Sequence, residues 1–151
     1  MPRLTRGVMA GLALLVSAGC GSITGNDDEE SALRRAELRW SRSGVQDYQV
    51  VVQYLCFCGY TRPVRLTVRF GSVVSRVDAE TGEPVPTFGE NVRDVAGLFD
   101  LIREAIADNA HSLDVTYDAT YGFPTLIEID YIRNAVDDEL TVKTSEFQRM
   151  R

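Results

Sequence analysis

The chain has 151 residues, 44% hydrophobic and 25% charged, with a formal net charge of -6 and a pI near 4.8. That balance suits one globular domain and excludes a disordered or wholly membrane-spanning chain. Such acidity speaks against a nucleic-acid partner, because phosphate binding needs a concentrated basic patch.

The first residues read as an export leader, residues 1–19. MPRLTR carries Arg3 and Arg6 and no acid, and the apolar run GVMAGLALLV follows. Its length of about ten residues falls short of the ~20 that a spanning helix needs. A basic start, a short apolar run and small residues before a cut are the parts of a secretory signal. Cys20, directly after Ala18 and Gly19, resembles the lipobox cysteine of bacterial lipoproteins, with Ser17 where that family most often has Leu. The resemblance implies cleavage before Cys20 and acylation of its thiol with palmitate-type chains. The product is a membrane-anchored lipoprotein of the bacterial cell envelope, facing the periplasm or the surface. Each buried methylene contributes ~0.8 kcal/mol, so several acyl chains hold a protein on a bilayer without a spanning helix. The alternative is a plainly secreted protein cut nearby. Residues 20–30 are small, polar and acidic and read as a flexible tether, with Asp27 to Glu30 also suited to the start of a helix.

Residues 31–151 then form a single α+β domain. Leu33, Ala36 and Trp40 recur at helical spacing, and Gly44 is placed to stop that helix. Trp40 reads as a core residue that packs the helix onto a sheet. DYQVVVQYLCFC is a strand candidate with Tyr48, Val50, Val52, Tyr54, Cys56 and Cys58 on one face. In PVRLTVRF, Val64, Leu66, Val68 and Phe70 alternate with Arg65, Thr67 and Arg69, which predicts one buried face. Gly71-Ser72 fits a hairpin turn with Gly first, and VVSRVD returns before a turn-rich loop holding Pro84 and Pro86.

The second half repeats the order of elements. Val95, Leu98, Phe99, Ile102, Ala105 and Ile106 form one helical stripe, with Asn91 or Asp94 able to cap its start. His111 lies just past its end, where a cationic side chain can cap carbonyls. Three strand candidates follow, carrying Leu113, Val115 and Tyr117, then Ile127, Ile129 and Tyr131, then Leu140 and Val142. Short connections make neighbours antiparallel, so the expected fold is a meandering sheet of five to six strands with two helices packed on one face.

Three cysteines carry the chemistry. If Cys20 is acylated, an even pair remains, in a compartment that permits disulfides. Cα atoms two apart in an extended strand lie ~6.6–6.8 Å from each other. That is the limit of the ~4.4–6.8 Å a disulfide accepts. A bend near Gly59 would close Cys56 to Cys58, which predicts a local clip at the strand end. So small a ring should add little stability and be comparatively reducible. Two buried free thiols, or a thiol-based enzyme, are the alternatives. A redox pair more often stands as Cys-x-x-Cys at a helix N-terminus. No metal or other cofactor is expected: a closed zinc site wants four ligands, and His111 is the single histidine. Asp78, Glu80 and Glu83, and Asp130, Asp137, Asp138 and Glu139, offer oxygen ligands or hydrolase carboxylates, but neither run matches a calcium loop.

RWSRSGVQDYQVVVQYLCFC and VTYDATYGFPTLIEIDYIRNAVDDELT together resemble a bacterial lipoprotein family catalogued as domain of unknown function 6174. The residues that carry this are Trp40, Gly44, Asp47, Tyr48, Cys56, Cys58, Leu98 and Phe99. They continue with Tyr117, Asp118, Tyr121, Gly122, Pro124, Asp130, Asp137, Asp138 and Glu139. The family implies an exported, lipid-anchored domain and supplies no activity. SRVDAETGEPV is similar to the strand–turn end of PepSY modules, which are associated with protease inhibition. The resulting expectation is a non-catalytic module that meets an envelope protein through Tyr121, Phe123, Asp137, Asp138 and Glu139 in two hairpin loops. The alternatives are an envelope enzyme using Cys56 and Cys58 or loop carboxylates, and an inhibitor-like module.

Overall fold

The computed structural model describes residues 25–151 except 90 and 136, without the side chains of 25–27 and 88. The leader and Cys20 lie outside the described residues. Helix α1 (Gly25–Ser43) leads into strands β1 (Tyr48–Leu55), β2 (Val64–Arg69) and β3 (Ser72–Asp78). A short turn of 3-10 helix (Thr87–Gly89) precedes helix α2 (Val95–Ala107), which leads into β4 (Ser112–Tyr117), β5 (Pro124–Asp130) and β6 (Glu139–Arg149). The six strands form one sheet in the order β3-β2-β1-β6-β5-β4, with every neighbouring pair antiparallel. The fold is therefore α+β: two three-stranded meanders, each preceded by a helix, joined where β1 meets β6.

Alternation decides which face is dry. Val50 and Val52 of β1, Val64, Leu66 and Val68 of β2, Ile127 and Ile129 of β5 and Val142 of β6 are buried. They meet Leu33 and Ala36 of α1 and Val95, Leu98, Phe99, Ile102 and Ala105 of α2 in one core. The opposite face carries polar cross-strand pairs, such as Gln49 Nε2 donating to Thr67 Oγ1 at 3.0 Å and Arg65 with Glu146 at 2.9 Å.

Helix ends follow their caps. Asp94 Oδ1 accepts from Gly97 N at 3.0 Å, and Tyr48 Oη accepts from Val95 N at 3.2 Å, so β1 satisfies a first-turn amide of α2. Burial and the nearby Asp94 carboxylate push the Tyr48 phenol up, which keeps it neutral. At the other end Asn109 takes φ +53, with Asn109 N bonding Ile106 O and Ala110 N bonding Ala105 O. That backbone cap leaves His111 no carbonyl to cap; it is exposed, and its amide bonds Tyr131 O.

The structure corrects three local expectations. Helix α1 starts at Gly25, so residues 25–30 are helix and not tether, with Asp28, Glu29 and Glu30 in its first turns. The β2–β3 turn is Phe70-Gly71 with both φ positive, +50 and +72, and Gly second. Asp47 holds it, accepting from Phe70 N at 2.7 Å and pairing with Arg69 at 3.1 Å, so Phe70 stands 86% exposed and not in the core. Strand β1 stops at Leu55, so Cys56 and Cys58 occupy a bend.

One bulge shapes the core. The β1–β6 register shifts between Gln49 and Val51, opposite Glu146 at φ +50. The extra residue reverses the alternation beyond Thr144 and turns Phe147 inward. Phe147 stacks on Phe123 at 4.4 Å between ring centroids, and Trp40 stands edge-on to Phe147 at 5.9 Å and to Tyr48 at 5.5 Å.

Candidate functional site

The hairpin connections fall at two opposite ends of the sheet. Residues 118–123 between β4 and β5 share one end with the Phe70-Gly71 turn and the C-terminus of β6. The bend after β1, the loop between β5 and β6 and the end of β3 share the other. Tyr121 and Phe123 therefore do not meet Asp137, Asp138 and Glu139 in one site. Phe123 is only 5% exposed, locked against Trp40 and Phe147, and Tyr121 packs on Phe147 at 5.3 Å. The expectation that Phe123 binds a partner from a loop surface is corrected: its ring belongs to the core.

The second end holds a cleft of about 360 Å³. Cys56, Phe57 and Cys58 form one wall, Asp137, Asp138 and Glu139 the facing wall, and Tyr54 and Val92 contribute apolar surface. The Cys56–Cys58 disulfide closes across Cα atoms 5.2 Å apart, inside the span that an extended strand exceeds. The bend throws Phe57 outward to 86% exposure; Leu55 and Ile132 are also exposed at this end, 39% and 62%. Isolated exposed apolar residues are ordinary; here three lie at the end of the sheet that holds the cleft.

Each acid in the region has a definable state. Asp78 is saturated: it accepts from Glu80 N and Thr81 N, both at 2.9 Å, and from Tyr60 Oη at 3.1 Å, and pairs with Arg62 at 2.8 Å. The Thr81 amide is the largest of the influences that hold its carboxyl below the usual range, with the Glu80 amide, Tyr60 and Arg62 adding to it. A carboxylate so occupied has no oxygen to spare for calcium. Asp138 differs. Its Oδ2 accepts from Ile132 N at 2.6 Å and pins the β5–β6 loop, while its Oδ1 is buried with no hydrogen-bond partner among the described residues. Asp137, at φ +70, and Glu139 are exposed on either side.

The lining is apolar and acidic. It contains no serine, threonine, histidine, lysine or arginine among the described residues. Burial raises the Tyr54 phenol, opposed by the Arg93 amide, and burial with the Asp78 carboxylate raises Tyr60, so neither is poised as a base. No group of three or more His, Cys, Asp or Glu among the described residues is arranged to hold a metal ion.

Most residues that carry the family resemblance have structural work elsewhere. Gly44 takes φ +62 after α1, and Asp118 Oδ1 accepts from Thr120 N and Tyr121 N at 2.9 and 2.6 Å. Gly122, at φ +87, lies so close to α1 that a Cβ would stand 2.6 Å from Ala36 O. Cys56 and Cys58, whose disulfide closes the bend, line the cleft together with Asp137 and Glu139. Exposed Phe57, Leu55 and Ile132 were missed by sequence reading, since alternation marks them as ordinary strand or loop residues.

A helix-covered antiparallel sheet with a small acidic cleft beside a disulfide defines a compact α+β module. Residues 32–149 match DUF6174, a family of unknown function, and the chain belongs to that family. No curated protein and no solved structure matches it.

Proposed function

We propose that this chain is a lipid-anchored, non-catalytic binding module of the bacterial cell envelope, and that the cleft at the disulfide end is where it takes its partner. The leader and the lipobox-like Cys20 support the anchor. A disulfide is compatible with an exported protein, and no helix among the described residues is long and apolar enough to cross a membrane. The observation that carries the binding reading is the pairing in one place of exposed apolar side chains with the exposed carboxylates of Asp137 and Glu139. The occupant that fits is a protein segment with an apolar anchor residue beside a lysine or arginine. The apolar group covers Phe57, and the cation meets Asp137 and Glu139.

Phe57 and Phe70 supply an internal control, each 86% exposed at opposite ends of the sheet. A photo-crosslinking residue at Phe57 in the native envelope captures a discrete partner, and the capture is lost in an Asp137→Lys, Glu139→Lys double variant. The same residue at Phe70 captures nothing specific. Equal patterns from the two positions, or capture indifferent to the charge reversal, would refute the cleft as the binding site.

A further inference from the structure

We propose that the outward face of α1 is a docking surface for an anionic lipid bilayer. In a chain with net charge -6, Arg35, Arg39 and Arg42 recur at i, i+4 and i+7 along one side of the helix, all exposed. None has an ion pair or a side-chain hydrogen bond among the described residues, whereas Arg34 pairs with Glu30 and Arg103 with Glu37 and Asp100. The helix acids are thus either spoken for or confined to the first turns, and the second half of the outward face is left cationic. Leu38 stands 54% exposed among these arginines. With Thr120 and Tyr121 they line a shallow open groove. Gly122 brings that loop against α1.

Three unpaired cations around one exposed leucine make a face that an anionic leaflet attracts, chiefly by charge. Its position favours a bilayer over any other anion. Four residues separate Cys20 from Gly25, so the start of α1 lies within roughly 18 Å of an acyl-bearing Cys20, and the arginines follow about 15–26 Å further along the helix. Proximity thus rests on the lipid-anchor reading; the charge pattern does not. The cleft with Phe57 belongs to the opposite end of the sheet from the Tyr121 loop, so a docked α1 leaves it open to a partner.

The test uses residues 20–151, which contain every element of the fold. The Cys20 thiol, the one cysteine outside the disulfide, is coupled to a maleimide lipid in vesicles. One set is phosphatidylcholine alone; the other contains a third phosphatidylglycerol. Phenylglyoxal modification of each arginine is followed by peptide mass spectrometry. Arg35, Arg39 and Arg42 react at least about fivefold more slowly on the anionic vesicles, as expected for a cation held at a charged leaflet. High salt removes the protection, and Arg65 on the open sheet face reacts equally on both. Equal rates for the three arginines on the two vesicle types overturn the proposal. Equal protection by inorganic phosphate without vesicles also overturns it, by showing a discrete anion site. Chemical coupling replaces native acylation, so the outcome is independent of whether Cys20 is lipidated in the cell. The mass of the native N-terminus reads that separately.

Discussion

Phe123 and Phe57 both stand beside a bend at a strand end, yet one is 5% exposed and the other 86%. The difference lies in what covers each end. Around Phe123, the β4–β5 loop closes onto α1 through Gly122, and the bulge at Glu146 delivers Phe147 as a stacking partner. Around Phe57, the chain is bent by a three-residue disulfide ring, and the facing loop brings carboxylates where the first end brings rings. The acids repeat the contrast: Asp118 Oδ1 accepts from two backbone amides, while Asp138 Oδ1 has no partner among the described residues. One sheet thus carries a closed end and an open end built from similar residues.

Mutations that treat the two ends alike should break the symmetry most. Phe123→Ala should lower unfolding free energy by about 3–5 kcal/mol, as for other buried phenylalanines. Phe57→Ala should stay within about 0.5 kcal/mol, as surface changes do. Denaturant unfolding monitored through Trp40 checks both. Comparable losses at the two positions would dissolve the distinction.

Glycines sharpen it at a smaller scale. Gly122→Ala meets a positive φ of +87 and Ala36 O at 2.6 Å, and should cost about 2–4 kcal/mol. Gly82 near the open end also has positive φ, +76, but nothing lies within 4 Å of its Cβ position, so Gly82→Ala should cost about 1 kcal/mol. The clip acts on the same small scale. Replacing Cys56 and Cys58 together by Ala should change stability by about 1.5 kcal/mol or less, because so short a loop restrains few unfolded states. Thiol counting on the unfolded, unreduced domain lacking Cys20 should find none, and two after reduction.

The carboxylates give a pH dependence whose sign is fixed. Asp78 and Asp47 have folded pKa values held below the usual range, chiefly by the amides of Thr81 and Phe70 respectively. Each contributes stability that is present above the unfolded value of about 3.9 and is lost as pH falls through the folded value. Melting temperature should therefore drop on acidification below about pH 4, and Asp78→Asn should flatten that drop while lowering the plateau at neutral pH. An unchanged acid limb in Asp78→Asn would show that its hydrogen bonds do not govern it.

The sequence announced the elements because they are written in local spacing. Alternation in Val64, Leu66 and Val68 and the stripe Val95, Leu98, Ile102 and Ala105 are fixed by the geometry of strand and helix over a few residues. The cysteine pair and the acidic run at Asp137 to Glu139 were equally visible. Their meeting across a cleft was not, nor the separation of Tyr121 and Phe123 from them, because loop ends are distributed by strand order.

Composition, leader-like N-terminus, helical and alternating periods and short turns determined, without any structure, that this is an α+β domain with one dry sheet face. Only the tertiary structure decided which phenylalanine is core and which is surface, which carboxylates are occupied, and where Phe147 points. The physical reason is range. A period reports neighbours on one element, whereas β1 pairs with β6 across nearly the whole domain, and a single bulge in that pairing reverses which side chains face inward.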